Sequence, residues 1–395
     1  MSQEPAGKER EVGRRDLVRL FQKALALRVL LAVGLHLFVD ESVFAPDQVG
    51  YHRVGEWLAH YWSGDVVVAP PNIEGLGPRA YFYIVGALYV VFGVNSLVPK
   101  LVNCLVGALL VPVVFDLGVR VTGSRLIALR TSKFVAYFPS LVLWSALNIR
   151  DAWIVLLIAL LCREALVLQE RPRLASLLVI GGGVWLIVHF RPYLLFAITL
   201  PMLVSFVVRQ RAHMIRNTVL GMMASLAVIY ADQAAGSGRK LRTIDFQEIQ
   251  EFRYWGTVGA GSSFEQADIS SPGKALLFLP KGLAFFLLAP FPWMLGSIRQ
   301  ILAVPETLFF YTLILPMLRG IRHLMRHRLG TSIMILLLTI GLTFGYALGE
   351  GNAGTAYRHR AQMLCFYLLF AATGIEVKRA ARARAELPSA VPRTA

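Results

Sequence analysis

The chain has 395 residues, of which 56% are hydrophobic and only 16% are charged, and its mean hydropathy is +0.58. A soluble domain of this length could not keep so much apolar surface away from water, so the composition excludes a soluble globular protein and indicates a helical membrane protein. The net charge of +16 is carried by short basic clusters between apolar segments, with no nucleic-acid-binding motif among them. That is the pattern of cytoplasmic membrane loops, and no nucleic-acid partner is expected.

Ten apolar segments have the length that a helix needs to cross a bilayer, about 17 to 25 residues. They are residues 24–40, 101–118, 131–148, 152–169, 174–190, 193–209, 217–232, 303–318, 330–348 and 361–376. Two further apolar stretches, 80–97 and 276–295, are interrupted by glycine and proline. We therefore predict an all-α polytopic integral membrane protein with about ten transmembrane helices, two external juxtamembrane or re-entrant segments, and one larger external loop at 233–275.

The basic clusters predict the orientation of these helices. If the N-terminus is cytoplasmic and both interrupted stretches stay on one side, the clusters all face the cytoplasm, as the positive-inside rule requires. They are residues 8–23, 120–133, 163–173, 209–216, 319–328 and 378–393. This predicts cytoplasmic tails at 1–23 and 377–395 around a transmembrane domain at 24–376. The membrane itself is expected to be a bacterial inner or plasma membrane. The first span is expected to be retained, because the charged N-terminus shows no small-residue cleavage pattern.

The first external stretch reads "FAPDQVGYHRVGEWLAHYWSG" from Phe44 to Gly64. Its spacing predicts an amphipathic helix that begins at Asp47, with polar residues such as His52 and Glu56 turned away from the apolar face. That face is predicted to hold Val49, Val54, Trp57, Leu58 and Tyr61. Asp47 is therefore either the cap of an interfacial helix or a functional carboxylate, and the local pattern alone leaves both open.

Other charged residues fall at the outer ends of predicted spans. Asp151 follows Arg150 in "NIRDAW"; it is either a functional carboxylate or half of an Arg–Asp pair at headgroup level. Basic residues on the external face oppose the positive-inside bias, and four of them stand out at the ends of spans, namely Lys100, Arg191, Arg358 and Arg360. Guanidinium groups match phosphate oxygens geometrically, so these residues either bind an anionic lipid-linked ligand or reach toward lipid headgroups.

The order of these features resembles a known group. Asp47 lies in "APDQVGYHRVGEWLA" just after the first span, followed by "GPRAYFYIVGALYVVFG". Lys100 then opens the second span in "VPKLVNCLVGALLVPVVFDLG", Asp151 stands in "NIRDAW", and Arg358 stands in "TAYRHRAQMLCFYLLFAATG". Over residues 24–170 in particular, the chain resembles the GT-C superfamily of membrane glycosyltransferases, which includes protein O-mannosyltransferases and lipid A aminoarabinose transferases. The paired acids common in that superfamily are absent here, since Gln48 follows Asp47.

The resemblance implies an inverting glycosyltransferase that takes a polyprenyl-phosphate-linked sugar on the external face, for cell-envelope or exopolysaccharide assembly. The acceptor is then a glycan, a lipid or a protein, and Asp47 is the general base. Lys100, Arg191 and Arg358 would stabilise the leaving phosphate. Asp151 would orient the acceptor or, with Asp47, hold a divalent ion such as Mg²⁺ or Mn²⁺, the one cofactor this scheme leaves room for. Arg360, His52 and Glu56 are further candidate substrate-binding residues.

Two other functions fit the same residues. A transporter or flippase for lipid-linked saccharides would also place paired arginines and carboxylates at the membrane interface. A polysaccharide polymerase or ligase would rely on Arg191 and Arg358 in place of an aspartate base.

Overall fold

The computed structural model describes residues 13–66, 79–209, 245–258, 262–296 and 298–386, and its regular structure there is helical. The first helices are α1 (Arg14–Phe38), α2 (Asp47–Trp62), α3 (Arg79–Phe92), α4 (Leu97–Thr122), α5 (Arg125–Tyr137), α6 (Pro139–Ser145) and α7 (Asp151–Glu170). They are followed by α8 (Leu174–Phe190), α9 (Leu194–Val208), α10 (Phe246–Thr257), α11 (Pro272–Leu288), α12 (Ile298–His327), α13 (Leu329–Gly349) and α14 (Ala353–Ala385). The predicted all-α class is therefore confirmed for the described residues.

Several of these helices have the dimensions of membrane spans. Five are long and apolar enough to cross a bilayer, or six if the bent pair α5 and α6 counts as one span. Helices α8 and α9 are apolar but have only 17 and 15 residues, and the predicted span at 217–232 lies outside the described residues. The two interrupted stretches form α3 and α11, which have 14 and 17 residues. The chain is thus a membrane-type helical protein.

The predicted span at 131–148 is not one helix. Helices α5 and α6 meet at an angle of 55°, because Pro139 has no amide hydrogen and disfavours a helical conformation at Phe138. The break leaves the last carbonyls of α5 without helical partners. Arg28 of α1 is fully buried and donates to two of them, Ala136 O at 2.9 Å and Val135 O at 3.2 Å. The guanidinium of Arg28 in α1 therefore stabilises the break between α5 and α6.

Helices α12 and α14 approach each other closely through two glycines. A Cβ atom on Gly374 would lie 1.8 Å from the Pro316 carbonyl oxygen, and one on Gly320 would lie 1.9 Å from that of Phe370. Small residues at such crossings let transmembrane backbones meet, which increases van der Waals contact. This packing fixes α14, the helix that carries Arg358.

Helix α2 begins at Asp47 as predicted, but its buried face differs from the predicted one. The residues it buries are Gln48, Tyr51, Gly55, Leu58 and Ala59, whereas Tyr61 is exposed. The helix is rotated because α3 packs against its small residues: Gly55 lies against Val85, and Gly86 lies against Leu58. The pattern of large apolar residues missed this seam, since glycines mark close approach without contributing hydrophobicity.

The bundle has two ends with different polar groups. The ends of α1, α8 and α13 and the starts of α2, α7 and α14 meet at what we call the Asp151 end, where Arg358 bridges Asp47 and Asp151. At the opposite, Asp116 end, Asp116, Arg120, Arg163, Glu170 and Arg209 form a second network. Backbone pairing of 262–264 with 351–353 also brings part of the predicted external loop to the Asp151 end.

Candidate active site at the Asp151 end

Arg358 joins the two aspartates singled out by the sequence. Its Nη1 donates to Asp47 Oδ2 at 2.7 Å, and its Nε donates to Asp151 Oδ2 at 2.7 Å. The residues come from three helices, far apart in the chain. Asp151 is 1% exposed, whereas the Asp47 side chain is 50% exposed. One guanidinium therefore links a buried carboxylate to a carboxylate at the rim.

Both aspartates occupy the first position of a helix. Asp47 opens α2 directly after Pro46, and Asp151 opens α7 directly after Arg150. A negative charge at a helix N-terminus is stabilised by the helix dipole. Neither α2 nor α7 has a side-chain hydrogen bond at its N-cap. The carboxylate of Asp47 is thus directed to Arg358, and the interpretation of Asp47 as a capping group is replaced by an ion pair.

Arg191 approaches Asp151 from the turn between α8 and α9. It is 4% exposed, its Nη2 lies 3.4 Å from Asp151 Oδ1, and its Nη1 donates to the Tyr193 hydroxyl. Burial by itself would lower the pKa of this guanidinium, but Tyr193, Tyr346 and Asp151 outweigh burial and raise it. Arg191 therefore remains a fixed positive charge behind Asp151.

The cluster continues to two residues that the sequence did not single out. Arg191 Nη1 donates to His359 Nε2 at 2.6 Å, so the hydrogen of this imidazole lies on Nδ1, which donates to Glu350. Burial would raise the pKa of the Glu350 carboxyl, but His359 outweighs burial and lowers it. A chain of polar contacts thus runs from the rim at Asp47 to the interior at Glu350.

Lys100 lies in a neighbouring pair. Its Nζ donates to Glu41 Oε1 at 2.6 Å, and the lysine side chain is 2% exposed. Burial would raise the pKa of Glu41, but the hydrogen bond from Lys100 outweighs burial and lowers it. Gln48 connects this pair to the main cluster: its Nε2 donates to Glu41 O at 2.6 Å, and its Oε1 accepts from Asn148 N at 2.9 Å. Lys100 is therefore beside the Arg358 cluster, with Glu41 as its own partner.

The remaining predicted site residues lie outside the set of hydrogen bonds around Arg358. His52 Nδ1 is 2.8 Å from the Tyr89 hydroxyl, and Glu56 lies half-buried on the same helix. Arg360 points about 200° around α14 from Arg358, as two helical steps require. It donates to Leu287 O at 2.6 Å and Ala289 O at 3.3 Å. The structure thus brings together Asp47, Asp151, Arg191 and Arg358, and places Arg360 on another side of α14.

A buried network holds the turn that presents Asp151. Asn103 Nδ2 donates to Leu147 O at 2.7 Å and to Ile149 O at 2.8 Å. Tyr81 donates to Asn148 Oδ1 at 2.9 Å. Sequence reasoning missed these groups, although an asparagine within the apolar run "LVNCLVGALL" was a signal, because buried polar side chains in membranes need partners.

The donor set does not fit a divalent ion. Among the described residues no group of three or more His, Cys, Asp or Glu side chains could hold a metal. Asp47 and Asp151, the two carboxylates predicted as possible ligands of a divalent ion, are bridged by Arg358. A guanidinium between them supplies the positive charge that a cation would otherwise bring. No step of the chemistry is therefore assigned to a metal.

No protein-family model matches this chain, and no curated protein matches it. What supports a function is the arrangement of charged side chains at the Asp151 end, together with the resemblance in the order of sequence features.

Proposed function

We propose that the protein is an inverting glycosyltransferase of GT-C type that takes its sugar from a polyprenyl-phosphate donor at the Asp151 end. The observation that carries this proposal is the bridge by Arg358 between the rim carboxylate of Asp47 and the buried carboxylate of Asp151. The bridge brings a carboxylate, the group that can act as a general base, next to a guanidinium, the group that can bind a phosphate. A transfer reaction with a phosphate leaving group needs both groups.

Asp47 is the general base in this proposal. Half of its side chain is exposed, so an acceptor hydroxyl has access to it from the aqueous side. The carboxylate takes the hydroxyl proton as the oxygen attacks the anomeric carbon, and the bond between that carbon and the phosphate oxygen breaks. The electron pair leaves with the polyprenyl phosphate, and a single displacement inverts the anomeric centre.

Arg358 and Arg191 stabilise the departing phosphate. Negative charge grows on that group as its bond to the sugar breaks, and preorganised guanidinium donors stabilise such charge. Arg358 exchanges its bond to Asp47 for one to the phosphate, which frees the base as the donor binds. Asp151 then acts by holding Arg358 and Arg191 in place, since it is the acceptor they share.

The wider assignments follow from this scheme. Lys100 with Glu41, His52 and Glu56 lie on the first external elements and are candidates for contacts with the donor or acceptor. The Asp151 end is the external face, the chain crosses a bacterial inner or plasma membrane about ten times, and both termini are cytoplasmic. The acceptor is a glycan, a lipid or a protein of the cell envelope.

The test is sugar transfer in proteoliposomes that contain the purified chain, a labelled polyprenyl-phosphate sugar and an extract of envelope acceptors. Asp47→Asn should abolish transfer, a loss of at least about a hundredfold for a general base, while the protein remains folded. Arg53→Gln is the matched control, because Arg53 is an exposed charge on the same helix and should leave transfer unchanged. Transfer by Asp47→Asn at the wild-type rate would exclude the assigned base.

The same assay separates the other two functions. The bond between Asp47 and Arg358 also fits an arginine-dependent polymerase or ligase, in which Arg191→Ala abolishes transfer and Asp47→Asn does not. A flippase would move the labelled lipid across the vesicle membrane without forming a new glycosidic bond.

A further inference from the structure

Arg150 is a third arginine at the Asp151 end. It is the N-cap residue of α7, directly before Asp151. Burial lowers the pKa of its guanidinium, and the positive charges of Arg191 and Arg358 lower it further, with Tyr51 and Asp151 acting in the opposite direction. Three guanidinium groups therefore lie around one buried carboxylate.

One of the two sequence-based interpretations paired Arg150 with Asp151, but the structure gives Asp151 other hydrogen-bond partners. Asp151 accepts from Arg358 through Oδ2 and from Arg191 through Oδ1. The Nε atoms of Arg150 and Arg191 are buried and have no hydrogen-bond partner among the described residues. Two buried N–H donors thus lack an acceptor in the described part of the chain.

Such donors are unfavourable in a folded protein. A buried N–H group without a partner keeps its full desolvation penalty, and native structures leave few of them. Like charges held close together add repulsion. A phosphate group relieves both penalties, because it brings negative charge and several strong acceptor oxygens that match the guanidinium fork.

We infer that Arg150, together with Arg191, binds the phosphate of a phosphate-ester ligand, which makes Arg150 a donor-binding residue of this site. That the ester is a polyprenyl phosphate rests on the proposed function; the phosphate-binding role rests on the two unpaired donors and the crowding of guanidinium groups. Arg358 binds the same phosphate from the side of Asp47, whereas Arg150 approaches it from the turn before α7.

The experiment measures binding instead of turnover. The full-length protein in detergent is titrated with a short-chain polyprenyl phosphate, and bound ligand is counted by native mass spectrometry. Arg150→Gln should weaken binding by about 10- to 100-fold, the effect of removing a hydrogen bond to a charged group. Arg150→Lys keeps the charge without the fork and should recover part of the affinity. Arg53→Gln is the control and should bind as the wild type does.

Folding is checked separately in every variant by its unfolding temperature. If Arg150→Gln cannot be purified, Arg150→Lys decides the question: weaker binding by a folded Arg150→Lys supports the inference, and wild-type affinity overturns it. A purely structural Arg150 would lower the unfolding temperature of Arg150→Gln and leave its affinity for the phosphate lipid unchanged, which also overturns the inference.

Further probes identify the source of the phosphate, namely inorganic phosphate and nanodiscs that contain phosphatidic acid. Arg150-dependent binding of these probes without binding of polyprenyl phosphate supports the inference and removes the proposed donor. Polyprenyl phosphate that binds equally to wild type and Arg150→Gln overturns the inference and leaves the proposed function standing. Absence of binding to every probe overturns both.

Discussion

The two ends of the bundle carry similar residues in different surroundings. At the Asp151 end, Asp151 is 1% exposed and Arg191 is 4% exposed. At the Asp116 end, the side chains of Asp116 and Arg163 are 36% and 33% exposed. Both ends form networks of arginines and carboxylates. They differ in how deeply these side chains are buried. Water screens the exposed side chains of the Asp116 network, whereas Asp151 and Arg191 have to satisfy their charges from within the protein.

This difference indicates where function lies. Exposed ion pairs contribute little to stability and can be changed freely. A buried cluster has a large desolvation penalty and is often no better for stability than an apolar packing of the same volume. The Asp151 cluster is therefore difficult to explain by stability alone, which is an independent reason to expect a functional role at this end.

The strongest test of this difference is Asp151→Ala. The change leaves Arg191 and Arg358 buried without their shared acceptor, so we expect destabilisation by about 3–5 kcal/mol. Unfolding can be followed with a thiol-reactive dye, because Cys104, Cys162 and Cys365 are free and buried and become reactive only when the bundle opens. An unfolding temperature equal to that of the wild type would contradict the buried network.

A smaller effect is expected at the contact between α2 and α3, which positions Asp47. A Cβ atom on Gly55 would lie 2.4 Å from Val85 Cγ1, so Gly55→Ala should destabilise the protein by about 1–3 kcal/mol through overpacking. Gly50→Ala is the matched control on the same helix, since nothing lies within 4 Å of its added Cβ. The control should stabilise the helix by about 0.5–1 kcal/mol. The dye assay compares the two variants, and equal shifts would show that α2 does not pack on α3 through Gly55.

The smallest effect is expected at the Asp116 end. Asp116 accepts from Arg120 at 3.0 Å and from Arg163 at 2.6 Å, and the side chains of these two arginines are 22% and 33% exposed. Asp116→Ala should therefore cost no more than about 1 kcal/mol, and added salt should diminish the difference from the wild type. A loss as large as that of Asp151→Ala, measured in the same assay, would erase the distinction between the two ends.

The helical class and the start of α2 at Asp47 could be predicted from the sequence, because hydrophobic length and an acidic residue after proline are local signals. The charge pattern also predicted that one face of the membrane holds Asp47, Asp151, Arg191 and Arg358, and the structure brings these four residues together. The break at Pro139 was readable from the proline itself, yet the apolar run around it predicted one span. Hydropathy averages over a window and does not register one missing hydrogen bond.

Other features had no local signal. One example is the pairing of His359 with Glu350, and another is the network around Asn103. Both depend on which helices become neighbours, and a single sequence does not specify those neighbours. Arg360 illustrates the same limit. It stands two residues from Arg358 in the chain, but the turn of α14 directs it to the carbonyls of Leu287 and Ala289. Two arginines that are close in the sequence thus contact different parts of the protein.

Arg28 has a consequence for the assembly of the protein in the membrane. It lies near the middle of α1, and the carbonyl it needs at Ala136 is 108 residues farther along the chain. Until α5 is made and inserted, the first helix carries an arginine that lipid accepts poorly, at about 2.5–3.5 kcal/mol on insertion scales. Transfer of α1 into the lipid phase is therefore less costly once α5 lies beside it and accepts hydrogen bonds from Arg28.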